Sequence, residues 1–383
     1  MFSTKLLFSI IIFHTKQQLF VRYGLRFADI VLQVTDSQRD DGDSDSNDAP
    51  LAEFEAESNN DGNDKPNVVN VRAERQNEKP LVALTNFQTD YASWCQSAAG
   101  KEDLTRDRYT RLERLCRSII RESYIHKIDY VVFPELSIPR SWLLMVARTF
   151  TRANISFIAG VEYGHCKTIT DCQGRKEKVD PFVTNEAFLF LTDDRIGYPS
   201  WVVFRQQKSV PAIHEGEDLR QKFGLRLRAE SELLAGKRVY SHAGFEFGLL
   251  ICSELTDIRY RQKFQGYVDS LFVLSWNQDL ETFASLVESS ALDVHCYTIL
   301  VNNREFGDSR VRAPYKEGYL RDLVRVKGGL ADYFVLAKID YQPLRDFQSY
   351  ESSKSEPFKP YPEGFKISGS RRVVPGGKKE SYK

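Results

Sequence analysis

The chain lacks a net charge of either sign: 53 Lys and Arg balance 53 Asp and Glu across 383 residues. No global field therefore advertises nucleic acid or an anionic membrane as a partner. It also lacks an apolar run of membrane length, since the run from Leu6 to Phe13 is too short to cross a bilayer and is broken by His14, Lys16, Gln17 and Gln18. Although Lys5 precedes that run, no small-residue cleavage site follows it. A short helix or strand is expected there, with a cytoplasmic location and no membrane contact. Paired cysteines are missing too, because Cys95, Cys116, Cys166, Cys172, Cys252 and Cys296 are scattered without a zinc-binding spacing. Free thiols in a reducing compartment follow. His165, Cys166 and Cys172 stand close in sequence but lack a fourth ligand, so no metal is expected.

What is present is the composition of an ordinary soluble globular protein, 42% hydrophobic, 28% charged and 12% aromatic. Its distribution is uneven. Between about Asp36 and Asn67, acidic residues from Asp40 to Asp64 alternate with Ser, Asn and Gly, and such a segment buries too little apolar surface to offset its chain entropy. The expected organisation is an amino-terminal segment over 1–35, an acidic disordered linker over 36–78, one large domain over 79–342 and a basic, partly disordered tail over 343–383. The first segment is too short for an independent domain and is either a docking piece or the remnant of a larger module. In the tail, Lys354, Lys359, Lys366, Arg371, Arg372, Lys378, Lys379 and Lys383 mix with Pro and Gly. It reads as a solvated extension, or as a contact for nucleic acid or a partner.

Within 79–342, apolar strand-like runs alternate with helical periodicity. Strands are expected at 80–87, 128–135 and 155–162, with helices at 104–123 and 141–149 between them. Further strands are expected at 185–191, 201–205, 237–240, 245–253, 271–277 and 298–302, and a helix over 280–295. The polar stretch 165–181 reads as an insertion or long turn. Alternation of this kind argues for α/β layers.

Three residues close or follow such runs. Glu135 ends one, Cys252 ends another, and Lys208 lies between them in sequence. A cysteine at the carboxyl end of a buried strand is held by the sheet while its sulfur faces the loops, where open α/β folds build their sites. Each residue also has a plainer reading: a buried Cys as a small hydrophobe, and Glu and Lys as solvated surface charges. Glu254 could be a helix first-turn residue, and Trp276 could be core.

Val131 to Glu135, Lys208 followed by Pro211 and Glu215, and Leu249 to Glu254 resemble the three ordered signatures of the nitrilase, or carbon–nitrogen hydrolase, superfamily. The resemblance extends over about Lys79 to Asp340. It implies a four-layer α-β-β-α sandwich, association through outer helices as a homo-oligomer, and no cofactor. It also implies Cys252 as nucleophile, Glu135 as general acid and base, Lys208 as oxyanion partner and Glu215 as second carboxylate, with Glu217 close enough to compete for that role. Trp276, Asn277 and Glu254 are the residues expected to meet substrate, a small amide or, less in keeping, a nitrile. This chain departs from the usual pattern in Ser253 after the cysteine and in Gln206 and Gln207 before the lysine.

A narrower resemblance joins Cys252 to Glu254, Ser275 to Gln278 and Asn302 to Ser309 to nitrilase-like domains attached to bacterial reverse transcriptases in antiphage defence. It implies a reverse-transcriptase partner, separate or as a missing fused portion. The other function it implies is an oligomerisation or binding scaffold in which the triad is dispensable.

Overall fold

In the computed structural model, the described residues are 66–71, 77–170, 176–195, 197–228, 237–350 and 357–373, all within the unit that spans 63–383. The segment 1–35 and the acidic stretch up to 65 lie outside them. Two large sheets organise everything else.

The first sheet contains β1 (Asn67–Val71), β8 (Arg238–His242), β9 (Phe245–Ile251), β10 (Ser270–Ser275), β11 (Tyr297–Asn302), β12 (Ser309–Arg312) and β13 (Asp322–Val326), in that spatial order. The second runs β14 (Tyr333–Lys338), β2 (Leu81–Asn86), β3 (Tyr130–Ile138), β4 (Ser156–Thr170), β5 (Lys176–Asp193) and β6 (Ser200–Gln207), with the short β7 (Arg226–Leu227) beside β5. Both are mixed. In the first, β9, β10 and β11 are parallel; in the second, β2, β3 and β4 are parallel.

Strands buried on both faces read as continuous apolar runs rather than as alternation. All nine residues of β3, all seven of β9 and all six of β10 and of β11 are buried. The sheets meet face to face through aromatic side chains: Tyr130 of β3 packs on Phe245 and Phe247 of β9 and Phe272 of β10, while Phe204 of β6 packs on Tyr240 of β8. The helices include the short α1 (Tyr91–Ala98), α5 (Ile258–Gln262) and α7 (Gly318–Arg321), and longer ones cover the outer faces. On α2 (Arg106–Ser123) the buried positions Arg108, Leu112, Leu115, Cys116 and Ile119 fall on one side at helical spacing. On α3 (Arg140–Arg152), Phe150 stacks on Phe157 of β4 and meets Phe133 of β3. On the other side, α6 (Leu280–Ser290) buries Phe283 and Val287 in the same core as the first sheet. The architecture is an α-β-β-α sandwich of four layers.

Three expectations need correction. The stretch 165–181 is not a loose insertion: it is the outer part of the β4–β5 hairpin, whose antiparallel register continues from Phe157 opposite Phe190 to Thr170 opposite Lys176. The linker does not reach residue 78 either, since β1 pairs in parallel with β8 from Asn67 to Val71. The third correction concerns the tail.

Beyond Asp340 the chain forms α8 (Gln342–Tyr350), and residues 357–373 then lie on the first sheet's side of the molecule. Asp269, fully buried, accepts from Arg345 Nε at 2.6 Å and from Arg371 Nε at 3.1 Å. Arg371 also donates to the Gly266 carbonyl and to Gln348. A guanidinium so enclosed is spent on the fold and is withdrawn from any nucleic-acid surface. Lys354, Lys378, Lys379 and Lys383 lie outside the described residues.

Candidate active site

Glu135 lies where β3 leaves regular pairing, between Phe133 and Ile138, and Leu136 after it takes a left-handed backbone with φ of 53°. The carboxylate is thereby turned out of the strand and towards the ends of both sheets. Oε1 accepts from Lys208 Nζ at 2.8 Å and from Asn185 Nδ2 at 2.8 Å, while Oε2 accepts the backbone N–H of Trp276 at 2.9 Å. Gly160 on β4 is what lets the backbones come so close: a Cβ there would stand 2.4 Å from Glu135 Cα and 2.6 Å from the Pro134 carbonyl oxygen.

Lys208 directly follows β6, its backbone N–H still tied to the Asn185 carbonyl at 2.7 Å. Its ammonium lies between Glu135 and Glu215, whose Oε2 accepts from Nζ at 2.6 Å. Burial alone would drive the proton off, but the two carboxylates outweigh it and hold the lysine well above its ordinary pKa. For Glu215, burial works to raise the pKa and the Lys208 charge more than cancels it, so the carboxyl stays below its usual range. Glu215 belongs to the first turn of α4 (Ile213–Phe223) and also accepts from Tyr163 Oη at 2.7 Å and Asn185 Nδ2 at 2.9 Å. Glu217, two residues on, has a side chain 52% exposed and faces His214. Positions two apart lie on different helix faces, so only one of the pair can enter the cluster.

Cys252 directly follows β9 and begins a tight 3₁₀ turn, Cys252–Thr256, with a left-handed φ of 48°. Such a backbone is unusual for a side-chain-bearing residue and marks a position held by its surroundings. The thiol is 6% exposed, and Ser275 Oγ donates to its sulfur at 3.6 Å. Burial, reinforced by the negative charge of Glu135 and opposed by the positive charge of Lys208, pushes the thiol up to about 12. The resting group is therefore S–H, with a carboxylate nearby to receive its proton.

The residues expected to meet substrate part company. Trp276 is half-buried at the cluster; its N–H is on Glu135, its indole Nε1–H donates to the Thr89 carbonyl at 3.1 Å, and its ring stacks on Trp94 at 6.2 Å between centroids. Asn277 instead folds its amide onto Asp279, the cap of α6, donating to the Asp279 carbonyl at 2.9 Å and accepting its N–H at 3.3 Å. Glu254 needs a correction, for it is fully buried and its oxygens accept from the Ser209 N–H at 2.6 Å, the Ile251 N–H at 2.8 Å and Lys237 Nζ at 2.5 Å. With its acceptor sites turned inward, it offers nothing to a substrate.

Sequence reasoning missed Asn185, Tyr163, Ser275 and Lys237. Asn185, which bridges both carboxylates, had one signal: a buried-strand pattern opening on an amide that apolar neighbours would otherwise leave unpaired. Among the described residues no group of three or more His, Cys, Asp or Glu is arranged to hold a metal, and no helix is long and apolar enough to cross a membrane.

No family model matches the sequence, and no curated protein matches it. Among solved structures, the chain is similar to an amidase from Nesterenkonia sp., at 14% identity over 72% of this chain and 94% of that one, with a TM-score of 0.44. A CN-hydrolase superfamily protein of Xanthomonas campestris is similar at 14% identity, 70% and 94% coverage and a TM-score of 0.44. The glutamine-dependent NAD+ synthetase of Acinetobacter baumannii is similar at 15% identity, covering 68% of this chain and 45% of that one, with a TM-score of 0.42.

Proposed function

We propose that the chain is a cysteine-dependent hydrolase of a non-peptide carbon–nitrogen bond, acting on an amide in preference to a nitrile through a thioester acyl-enzyme. One observation carries this reading: a buried ammonium held by two carboxylates, in the electrostatic reach of a buried thiol whose backbone is set in a left-handed turn.

In the first half-reaction the Cys252 proton passes to a Glu135 oxygen as sulfur attacks the carbonyl carbon. The Lys208 ammonium, with the backbone N–H of Ser253 after the nucleophile, faces the negative charge that develops on oxygen. When the intermediate collapses, the C–N bond breaks and Glu135 returns its proton to the departing nitrogen, leaving ammonia or an amine and a thioester on Cys252. In the second half, water gives a proton to Glu135 and attacks the thioester. The C–S bond breaks, the acid leaves, and the proton returns to sulfur. Each half uses one proton shuttled by one carboxylate, which suits an amide; a nitrile needs a further water. Glu215 positions Lys208, and Trp276 supplies an aromatic wall. Neither half calls for a metal or an organic cofactor.

The test is turnover of a panel of small amides and nitriles by wild type and Cys252→Ala. Loss of ammonia release in the variant, with an acyl adduct trapped on Cys252 of the wild type and read by mass, is the expected result. Equal turnover by Cys252→Ala overturns the proposal.

A further inference from the structure

The nucleophile and the cation come from different sheets. Cys252 follows β9 of the first, and Lys208 follows β6 of the second. The sheets pack through apolar side chains and are also joined by directional bonds, among them Gln206 Nε2 to the Leu249 carbonyl at 2.7 Å and the Trp276 N–H to Glu135 at 2.9 Å; the link that reaches the immediate neighbours of both Lys208 and Cys252 runs through Glu254.

Glu254 joins the two backbones. One oxygen takes the N–H of Ser209, the neighbour of Lys208, and the other takes the N–H of Ile251, the neighbour of Cys252. Ser253 Oγ adds a second stitch to the same segment by donating to the Val210 carbonyl at 3.1 Å. The carboxylate is itself anchored by Lys237, 1% exposed, whose ammonium lies over the Tyr260 ring at 5.5 Å. Lys237 is held just ahead of β8, the strand that pairs with β9, so the anchor belongs to the nucleophile's own sheet.

From this geometry we infer that Glu254, anchored by Lys237, is a positioning residue that sets Cys252 against Lys208 across the two sheets. The inference rests on the hydrolase reading above. It also accounts for the acidic residue two places after the cysteine without giving it any contact with substrate. A displacement of about 1 Å between reacting groups is enough to cost roughly 100-fold in rate, so a brace of this kind acts on chemistry even where the fold tolerates its loss.

The experiment is alkylation of Cys252 by iodoacetamide, followed by mass of the modified peptide, in full-length protein. Wild type is compared with Glu254→Asp and with the double variant Glu254→Gln, Lys237→Met. The first keeps the ion pair and withdraws the carboxylate by one methylene; the second removes both charges together and so leaves no buried charge unpaired. With wild-type circular dichroism, both are expected to alkylate roughly tenfold or more slowly and to lose most of the dependence of that rate on Glu135, read as the ratio of rates with and without Glu135→Gln in the same background. A residue that only stabilised the fold would not move that ratio well below the melting midpoint. Wild-type rate and ratio in either folded variant overturns the proposal. Failure of both variants to fold overturns it as well, since the brace would then serve folding alone. If alkylation of wild-type Cys252 ignores Glu135→Gln, it is the hydrolase reading that fails.

Discussion

At the scale of the residue, Cys252 is a thiol kept protonated by burial, within the electrostatic reach of Glu135, the base of the proposed reaction. Because its pKa is pushed up to about 12, no ultraviolet thiolate band should appear from it between about pH 6 and pH 9. The difference spectrum between wild type and Cys252→Ala measures this, and a band titrating near neutrality would contradict it. Among the described residues, Ser275 is the side chain that donates to that sulfur. Ser275→Ala should keep the fold and slow acylation by about three- to tenfold, the loss of one weak hydrogen bond to a charged sulfur, with KM little changed. These roles were only partly legible in the sequence. Glu135, Lys208 and Cys252 stood out because each breaks or follows an apolar run. Ser275, at the end of an apolar strand beside Trp276, looked no different from any serine that ends a strand.

At the scale of the element, the site depends on β3 and β4 approaching more closely than side chains allow. Gly160→Ala would put a methyl carbon inside van der Waals contact with Glu135 Cα and the Pro134 carbonyl. We expect this overpacking to cost about 1–3 kcal/mol of stability and to reduce turnover by more than that loss implies, because the displaced atom belongs to Glu135, the general base of the proposed reaction. Thermal melting and kcat together test it, and an unchanged kcat would show that Glu135 is set by other contacts. The strands themselves were readable because burial on both faces requires unbroken apolar runs. The β4–β5 hairpin was not, for its outer residues Lys176, Glu177 and Lys178 are charged and carry no burial signal. Likewise β1 is five residues at the edge of a sheet, largely exposed, within a polar stretch.

At the scale of the molecule, the carboxyl-terminal segment is part of the sandwich. Deleting the chain after Asp340 removes Arg345 and Arg371 from the buried Asp269. Breaking such a network by taking one side away costs about 3–5 kcal/mol, so the truncated chain should lose cooperative melting, and a truncation with wild-type melting would contradict the assignment. The same region carries a pH dependence. His295, fully buried, meets Gln348 Nε2 at 2.9 Å through Nδ1 and the Lys359 carbonyl at 2.7 Å through Nε2, and burial pushes its pKa down to about 4. In the unfolded chain the imidazole titrates near its ordinary value, so its contribution to stability is complete above about pH 6.5 and is lost as pH falls towards 4. The loss amounts to ~3 kcal/mol. Melting of wild type against His295→Gln over that range should show a slope in the first that is shallower in the second.

The sequence by itself determined the layer class, through unbroken apolar runs that only doubly covered strands need, and the order of Glu135, Lys208 and Cys252 along the chain. Only the tertiary structure decided which neighbouring carboxylates do what. Glu215 enters the cluster and Glu217 faces solvent because a helix turns through different faces over two residues. Glu254 points away from any substrate because two backbones from separate sheets and a buried lysine converge on it. Proximity along the chain says how far apart two residues can be, whereas the direction of a side chain is set by the backbone and by what packs around it.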